Sequence, residues 1–245
     1  MAKVDAPVMP TAKTLTSSIE ACITNGERLI DDAMWLECQE PPASKLVLAM
    51  LAQEEYAKAF LLFLVREDVI RWSPYLLRAM NDHICKQLVG TVIEYINPLE
   101  DESEEEMVKR IREEVMCGLG IPLAVADAIS ILRHEKIGRW VSNNWQWSEP
   151  PDYAAPALHI AEGKRDRLKQ DALYVRIGRD GRAVSTPTSA NPMASDEEFE
   201  RAWSYRHLMS TLLRKGGHSS SRYQNALEFI RKLFAHYPEA HVMRN

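Results

Sequence analysis

Three places in the sequence carry an arginine and a histidine with four to six residues between them, a pair of side chains that could act together in acid–base chemistry. A histidine can move a proton near neutral pH, and an arginine can stabilise negative charge through a bidentate contact. The three pairs are Arg78 with His83, Arg201 with His207, and Arg231 with His236. The chain has 19 arginines and 7 histidines, so chance also produces such spacings and spacing alone does not select one pair.

Sequence motifs for metal and nucleotide chemistry are absent. No glutamate is followed by a histidine three positions later, which a helical di-metal carboxylate site needs. No two histidines stand four positions apart, and neither the P-loop nor the dinucleotide-binding glycine pattern occurs. The cysteines are scattered and are typical of reduced core thiols: Cys22, Cys38, Cys85 and Cys117. We therefore expect no metal and no cofactor.

The composition is that of a globular protein with a sizeable core. Of the 245 residues 46% are apolar, but the longest apolar run, residues 59–65, is far shorter than the about 18 residues of a membrane span. The polar N-terminus lacks the apolar region of a signal peptide, so no membrane association and a cytoplasmic location are expected. The net charge of −5 argues against nonspecific coating of nucleic acid, but it allows a small basic site.

Hydrophobic periodicity predicts that the first half of the chain forms three helices. The first is predicted over about 14–38. The second, over about 45–69, is apolar all round in its second half and is expected to be central, with Ser44 as its cap. The third is predicted to run from Pro74 to Ile96, with Ser73 as its N-cap.

The second half of the chain is predicted to add helices and one hairpin. The highly charged stretch around 100–115 predicts a solvated helix, and a further helix is expected over about 122–137. Three tryptophans and two adjacent prolines mark an irregular segment over 138–156. The dipeptide Asp180-Gly181 predicts a two-residue hairpin turn. The capping pattern at 195–198 predicts the start of a helix that ends near Arg214, and a last helix is predicted over about 221–236.

These elements predict one domain of the mostly α class, a helical bundle with extra helices and one short β-hairpin. Residues 1–13 are expected to be a flexible N-terminal arm and residues 14–98 the core helices. Residues 99–171 form the charged helix and the Trp-rich insertion, 172–188 the β-hairpin, and 189–245 the C-terminal helices.

Two predicted helices carry polar side chains beside their apolar stripes. Glu54 can reach Lys58 one turn later, and a surface ion pair is the simplest interpretation. His83 and Arg78 lie on opposite sides of the apolar stripe of the third predicted helix, roughly 140° apart around the axis of a straight α-helix. By default Arg78 pairs with Asp82, and His83 is a histidine at the edge of the core. A joint role for Arg78 and His83 therefore requires a distorted helix, or a second copy of the same helix in a two-fold dimer.

Three stretches of the sequence resemble the AbiV family of abortive-infection proteins. The stretch "SKLVLAMLAQEEYAKAFLLF" is similar to a helix of that family with a Glu-Glu-x-Gly-Lys signature. Glu54, Glu55 and Lys58 match this signature, and Ala57 stands where glycine is usual. The resemblance covers about residues 15–215.

The other two stretches follow in the family's order. "DHICKQ" is similar to the basic motif of the next helix, which begins with a histidine; His83 and Lys86 match it, and Ile84 replaces a lysine. "RLKQDALYVRIGRDGRAVSTP" is similar to the family's Lys-x-x-Ala-Leu-Tyr-Val segment and the hairpin after it. Three motifs in this order are more specific than any one of them.

The resemblance implies a fold and a site. AbiV proteins are similar to the HEPN superfamily, whose fold is a helical bundle and many of whose members are metal-independent RNases with an Arg-x(4–6)-His motif. This resemblance selects Arg78 and His83 as the catalytic pair and leaves the two later pairs as chance spacings. The supporting residues are then Glu54, Lys58, Asn81 and Asp82, and the residue that binds RNA phosphate is Lys86.

The resemblance also implies a function and partners. We expect an antiphage endoribonuclease that cleaves cellular RNA and blocks translation when phage infection triggers it. The 2′-hydroxyl of the RNA would be the nucleophile, so the products would be a 2′,3′-cyclic phosphate and a 5′-hydroxyl. The expected partners are the RNA substrate, a second copy of the chain in a homodimer, and a phage-encoded activator protein.

A HEPN-like bundle that binds a protein partner in phage defence and has no chemistry is the alternative. The net charge of −5 and the uncharged Ile84 in the basic motif favour it. RNA cleavage that depends on His83 distinguishes the enzyme from the binding module.

Overall fold

The computed structural model describes residues 9–99, 103–138 and 152–235 of the chain. The described part is mostly helical and contains one two-stranded antiparallel sheet, which confirms the predicted fold class. Among these residues, no helix is both long and apolar enough to cross a membrane.

The helices and strands follow one another along the chain with mostly short connections. In order they are α1 (Ala12–Met34), α2 (Ala43–Arg66), α3 (Pro74–Asn81), α4 (His83–Ile96), α5 (Glu104–Cys117), α6 (Leu123–Ser130), a π-helical segment (Ile131–Gly138), α7 (Ala155–Ala161), α8 (Lys164–Leu173), β1 (Arg176–Ile177), β2 (Ala183–Ser185), a short 3₁₀ helix (Pro187–Ser189), α9 (Pro192–Lys215) and α10 (Ser221–Ala235).

Helix α2 lies at the centre of the bundle, as its apolar sequence predicts. It packs against α1, α4, α8 and α9, and the aromatic rings of Tyr56, Phe60 and Phe63 are fully buried. Helix α1 approaches it closely at Gly26, where an added Cβ would lie 2.7 Å from Cζ of Tyr56. Because α2 contacts helices from both halves of the chain, a polar side chain on α2 can meet groups that are distant in sequence.

The first two helices have different ends from those predicted. Helix α1 begins after Thr11, whose hydroxyl accepts a hydrogen bond from the backbone N–H of Thr14, and it ends at Met34 rather than near residue 38. Helix α2 begins one residue before Ser44, so that residue is not its cap; Pro42 holds the N-cap position without a side-chain hydrogen bond. Apolar periodicity does not detect such ends, because they depend on local backbone hydrogen bonds.

The predicted third helix is two helices. Its start is confirmed, since Oγ of Ser73 accepts a hydrogen bond from the backbone N–H of Leu76 at 3.1 Å. The prediction of one continuous helix to Ile96 is wrong, because the chain leaves the helical conformation at Asp82 and starts α4 at His83. The apolar stripe continues through both helices and hides the break.

The second half of the chain contains the predicted helices with three local differences. The helix predicted over 122–137 becomes π-helical from Ile131. The hairpin has a three-residue loop, 179–181, in which Gly181 adopts φ 79°, rather than a two-residue turn. Helix α9 begins after Asn191, whose side chain accepts from the backbone N–H of Met193, so Ser195 is not its cap. The exposed α5 agrees with a solvated helix, whereas residues 139–151 of the Trp-rich segment lie outside the described residues.

Candidate functional site

The break between α3 and α4 determines where His83 lies. Asp82 has φ −91° and ψ 128°, which is extended backbone, and its carboxylate accepts a hydrogen bond from the backbone N–H of Cys85 at 2.8 Å. This is the N-cap arrangement that favours the start of a helix. The side chain of Asn81 donates to the carbonyl of Leu77 at the end of α3. Asp82 therefore fixes His83 as the first residue of α4.

The ring of His83 contacts a buried carboxylate. Its Nδ1 lies 2.6 Å from Oε2 of Glu54, which is on α2 and is only 3% exposed. The His83 side chain itself is 51% exposed. One edge of the ring is therefore held by the protein interior, and much of the rest of the ring faces solvent.

Two buried lysines share the same carboxylate. Lys86, on the turn of α4 after His83, places Nζ 2.8 Å from Oε2 of Glu54. Lys169, on α8, donates to the other oxygen, Oε1, and also lies 3.0 Å from Oδ1 of Asp166. Each lysine side chain is 7% exposed. We call these five residues, Glu54, His83, Lys86, Asp166 and Lys169, the Glu54 cluster.

The charges of the cluster keep Glu54 ionised. Burial alone would raise the pKa of Glu54, but Lys86 and Lys169 outweigh this effect and lower the pKa below its ordinary value. An ionised carboxylate only accepts hydrogen bonds, so the 2.6 Å contact is a hydrogen bond when Nδ1 of His83 carries the proton. The opposite ring nitrogen, Nε2, then carries the lone pair. A carboxylate that holds a histidine in this tautomer prepares the ring to accept a proton.

The donor set of the cluster does not fit a metal ion. Ligand atoms of Glu54, His83 and Asp166 lie within 4.8 Å of one another, which is close enough for shared coordination. However, the ammonium of Lys169 already contacts all three residues, and Lys86 adds a second positive charge at Glu54. A divalent cation at this position would be repelled by both lysines.

The remaining predicted residues of the third helix lie on either side of the break. The side chain of Arg78 is exposed on α3, one turn before that helix ends, and that of Asn81 is exposed at its C-terminus. The separation of roughly 140° between Arg78 and His83 applies to a straight helix, so it does not hold across the extended backbone of Asp82. Asp82, the default partner of Arg78, uses Oδ1 of its carboxylate for the capping bond to Cys85.

The predicted pair of Glu54 and Lys58 is wrong. Lys58 bonds instead to Glu55, with Nζ 2.7 Å from Oε1, and both of those side chains are partly exposed. Glu54 points into the bundle, where the lysines of α4 and α8 reach it. The helical spacing on α2 is correct, but burial and distant partners decide which lysine pairs with which glutamate.

A second buried network lies beside the Glu54 cluster and includes Arg201 of the second Arg–His pair. Arg165 donates to Gln53 at 2.7 Å and to Glu198 at 2.9 Å, and Arg201 bonds Glu198 at 2.6 Å. Both arginines also contact Glu94, which accepts a hydrogen bond from Tyr205 at 2.5 Å. We call these residues the Arg165 network: Gln53, Glu94, Arg165, Glu198, Arg201 and Tyr205.

Arg201 and His207 form no shared site among the described residues, and the third pair lies only partly within them. Arg201 is committed to the Arg165 network, whereas His207 on the same helix is exposed. Arg231 is exposed on α10, and His236 lies outside the described residues.

Of the two cluster members that the predicted site residues omit, Asp166 and Lys169, only Lys169 lies in one of the matched stretches. It is the lysine of the Lys-x-x-Ala-Leu-Tyr-Val segment, so the resemblance already contained its signal. The three matched stretches supply Glu54, then His83 with Lys86, then Lys169, and the fold brings these side chains into direct contact. Separate motifs along the chain thus converge on one carboxylate.

Comparison with known proteins agrees with this convergence. No curated protein and no solved structure matches the chain. The family model of the AbiV proteins of the HEPN type matches residues 14–202, which is more than half of the chain and includes the whole Glu54 cluster. The chain therefore belongs to the AbiV family of HEPN-type abortive-infection proteins.

Proposed function

We propose that this protein is a metal-independent endoribonuclease that cleaves cellular RNA and blocks translation during phage infection. The observation that carries the proposal is the contact of His83 Nδ1 with the buried, ionised Glu54, which leaves the other edge of the ring towards solvent. A histidine oriented in this way is suited to proton transfer to and from a bound substrate.

The proposed reaction is an internal transesterification of RNA. The 2′-oxygen attacks the neighbouring phosphorus while its proton passes to Nε2 of His83, and the bond from phosphorus to the 5′-oxygen breaks. The leaving 5′-oxygen takes up a proton from solvent water, and His83 later returns its proton to solvent, so the products are a 2′,3′-cyclic phosphate and a 5′-hydroxyl. Glu54 stabilises the positive charge that the ring gains. The exposed guanidinium of Arg78 contributes stabilisation of the phosphorane charge.

The roles of the other predicted residues follow from their positions. Asp82 orients His83 through the start of α4, and Asn81 completes the end of α3. Lys86 is buried against Glu54, so it acts on the carboxylate in this arrangement and reaches an RNA phosphate only if it leaves Glu54. The proposal includes a homodimer, in which the exposed Arg78 and His83 of one protomer face those of its partner. It also includes a phage-encoded activator protein.

The test is cleavage of total RNA by the purified protein in EDTA, with and without lysate of infected cells. The wild-type chain is expected to produce 2′,3′-cyclic phosphate ends, and His83→Ala is expected to lose about 10²- to 10⁴-fold in rate. His207→Ala is the matched control, because His207 is also an exposed histidine that follows an arginine. Equal cleavage by the two variants would overturn the proposal, and so would complete loss of cleavage in EDTA.

A non-catalytic bundle that binds a protein partner is the second candidate. The exposed apolar side chains of Tyr75 and Leu77 on α3, 45% and 47% exposed, favour it. Ile84 packs partly against the core, so the basic motif adds no cation at that position. Capture of one partner from infected cells without RNA cleavage, unchanged in His83→Ala, would support this candidate instead.

A further inference from the structure

Lys169 contacts the one atom of His83 that the proposed reaction needs protonated. Its ammonium donates to Oε1 of Glu54 and lies 3.0 Å from Nδ1 of His83. The same Nδ1 lies 2.6 Å from Oε2 of Glu54. A single ring nitrogen thus faces a carboxylate, which only accepts hydrogen bonds, and an ammonium, which only donates them.

The two contacts require different protonation of Nδ1. Glu54 bonds to Nδ1 when that atom carries the proton, and Nε2 then has a lone pair directed to solvent. Lys169 bonds to Nδ1 when that atom has the lone pair, and the proton of the neutral ring is then on Nε2. The ring can accept a proton at its exposed edge only in the first tautomer.

We propose that Lys169 is a positioning residue that competes with Glu54 for Nδ1 of His83 and so sets the fraction of rings able to act as a base. An ammonium next to Nδ1 disfavours the Nδ1–H tautomer, because two groups that both carry positive hydrogens repel each other. The functional consequence, a restrained nuclease, rests on the proposed function. The competition itself is a property of the folded protein and needs no RNA.

The surroundings hold Lys169 in this position. Its side chain is buried, and Asp166, one turn earlier on α8, places Oδ1 3.0 Å from Nζ. Helix α8 itself starts directly after Gly163, which adopts φ 74°, a conformation that favours glycine. The ammonium is therefore fixed between two carboxylates and the imidazole rather than free to leave for solvent.

Lys86 supplies an internal comparison. It is as buried as Lys169 and pairs with the same carboxylate, but its contact is with Oε2 of Glu54. Replacing either lysine with methionine removes one positive charge beside Glu54 and keeps an unbranched apolar stem that lacks only the terminal ammonium. Only the change at Lys169 also removes the donor at Nδ1.

The experiment reads the tautomer of His83 directly. The full chain is labelled with ¹⁵N-histidine, and two-bond ¹H–¹⁵N spectra distinguish a protonated from an unprotonated ring nitrogen; His83→Gln identifies the signals. Lys169→Met is expected to shift the ring towards Nδ1–H with an unprotonated Nε2. Lys86→Met and Lys169→Arg, which retain a cation at Nδ1, are expected to stay close to wild type. No shift in Lys169→Met, or an equal shift in Lys86→Met, would overturn the inference.

A second variant and the absence of RNA separate the role of Lys169 from misfolding and from the proposed nuclease activity. Lys169→Leu is measured in parallel, and because it also lacks both the cation and an N–H donor the same shift is expected even where the methionine variant does not fold. The spectra are recorded without RNA, so they test the competition alone. Retained cleavage by His83→Ala would refute the nuclease and leave the tautomer result intact, whereas an unchanged tautomer would refute the role of Lys169 and leave the nuclease intact.

Discussion

Two groups of buried charges lie side by side in this protein and are built from the same helices. Helix α2 supplies Gln53 to the Arg165 network and Glu54 to the Glu54 cluster. Helix α8 supplies Arg165 to the first and Lys169, one turn later, to the second. Helix α4 contributes to both as well, and α9 completes the Arg165 network. The two groups thus share three helices and differ in which of their side chains reach the surface.

The two groups differ in whether the ring that each contains is exposed. In the Glu54 cluster the side chain of His83 is 51% exposed, whereas in the Arg165 network Tyr205 is 1% exposed and the carboxylate of Glu94, at 35%, is the most exposed group. Burial raises the pKa of Tyr205 well above its usual value, and Glu94 raises it further, so this hydroxyl stays protonated and donates to Glu94. Charge pairs therefore connect helices in both groups, but only the Glu54 cluster exposes a ring to solvent.

The largest effect on stability is expected from removing a charge in the Arg165 network. Arg165→Met leaves the buried Glu198 and the partly exposed Glu94 with one fewer cation, and breaking a buried pair costs about 3–5 kcal/mol in the free energy of unfolding. Denaturant unfolding measures this loss. Arg28→Met is the control, because Arg28 forms a pair with Asp32 on the exposed face of α1, and its removal is expected to change stability by less than about 0.5 kcal/mol.

A smaller loss is expected where α4 meets the ring of Tyr205. A Cβ at Gly90 would lie 2.5 Å from the Tyr205 hydroxyl oxygen, so Gly90→Ala forces that hydroxyl away from Glu94. Overpacking of this kind costs about 1–3 kcal/mol. In Gly217→Ala the added methyl meets its nearest atom at 3.8 Å, and that variant is expected to unfold close to wild type. Equal stability of the two variants would contradict the close packing of the Arg165 network.

Variants of two helix N-caps distinguish an effect on stability from an effect on RNA cleavage. Asp82→Ala and Ser73→Ala each remove one N-cap hydrogen bond, and each is expected to lower the free energy of unfolding by about 1 kcal/mol. Asp82 lies directly before His83, whereas Ser73 caps α3, so only Asp82→Ala is expected to reduce RNA cleavage per folded molecule. Similar cleavage by both variants would show that the start of α4 does not orient the histidine.

The smallest effect is expected in the dependence of stability on pH. The pKa values of Glu54 and Glu198 are lowered in the fold, since their cations outweigh burial. Each carboxylate therefore stabilises the fold above its ordinary pKa of about 4.5, and this stabilisation is lost as the pH falls through the lowered value.

Glu54→Gln and Glu198→Gln distinguish the two groups in acid. Each variant is expected to lose less stability than wild type between pH 5 and pH 2 in denaturant titrations, because one titrating carboxylate is gone. Only Glu54→Gln is expected to change RNA cleavage as well. If both variants lose stability between pH 5 and pH 2 as steeply as wild type, these carboxylates are not ionised and paired in the fold.

The sequence predicts the bundle better than it predicts the contacts within the site. The buried α2 and the start of α3 at Ser73 follow from apolar periodicity and capping chemistry. The break at Asp82 does not, because no glycine or proline marks it and the apolar stripe continues. Lys169 lies 115 residues from Glu54, so no spacing rule connects them. The resemblance to AbiV proteins indicates the right segments, and only the fold shows which side chains meet.

The central claim is that His83 carries the chemistry and that the neighbouring Arg165 network carries stability. The most direct measurement compares RNA cleavage and unfolding for His83→Ala and Tyr205→Phe. We expect His83→Ala to lose cleavage by about 10²- to 10⁴-fold with nearly unchanged stability, and Tyr205→Phe to lose stability by about 1–3 kcal/mol with nearly unchanged cleavage per folded molecule. Cleavage that survives in His83→Ala, or that disappears in a folded Tyr205→Phe, would contradict the central claim.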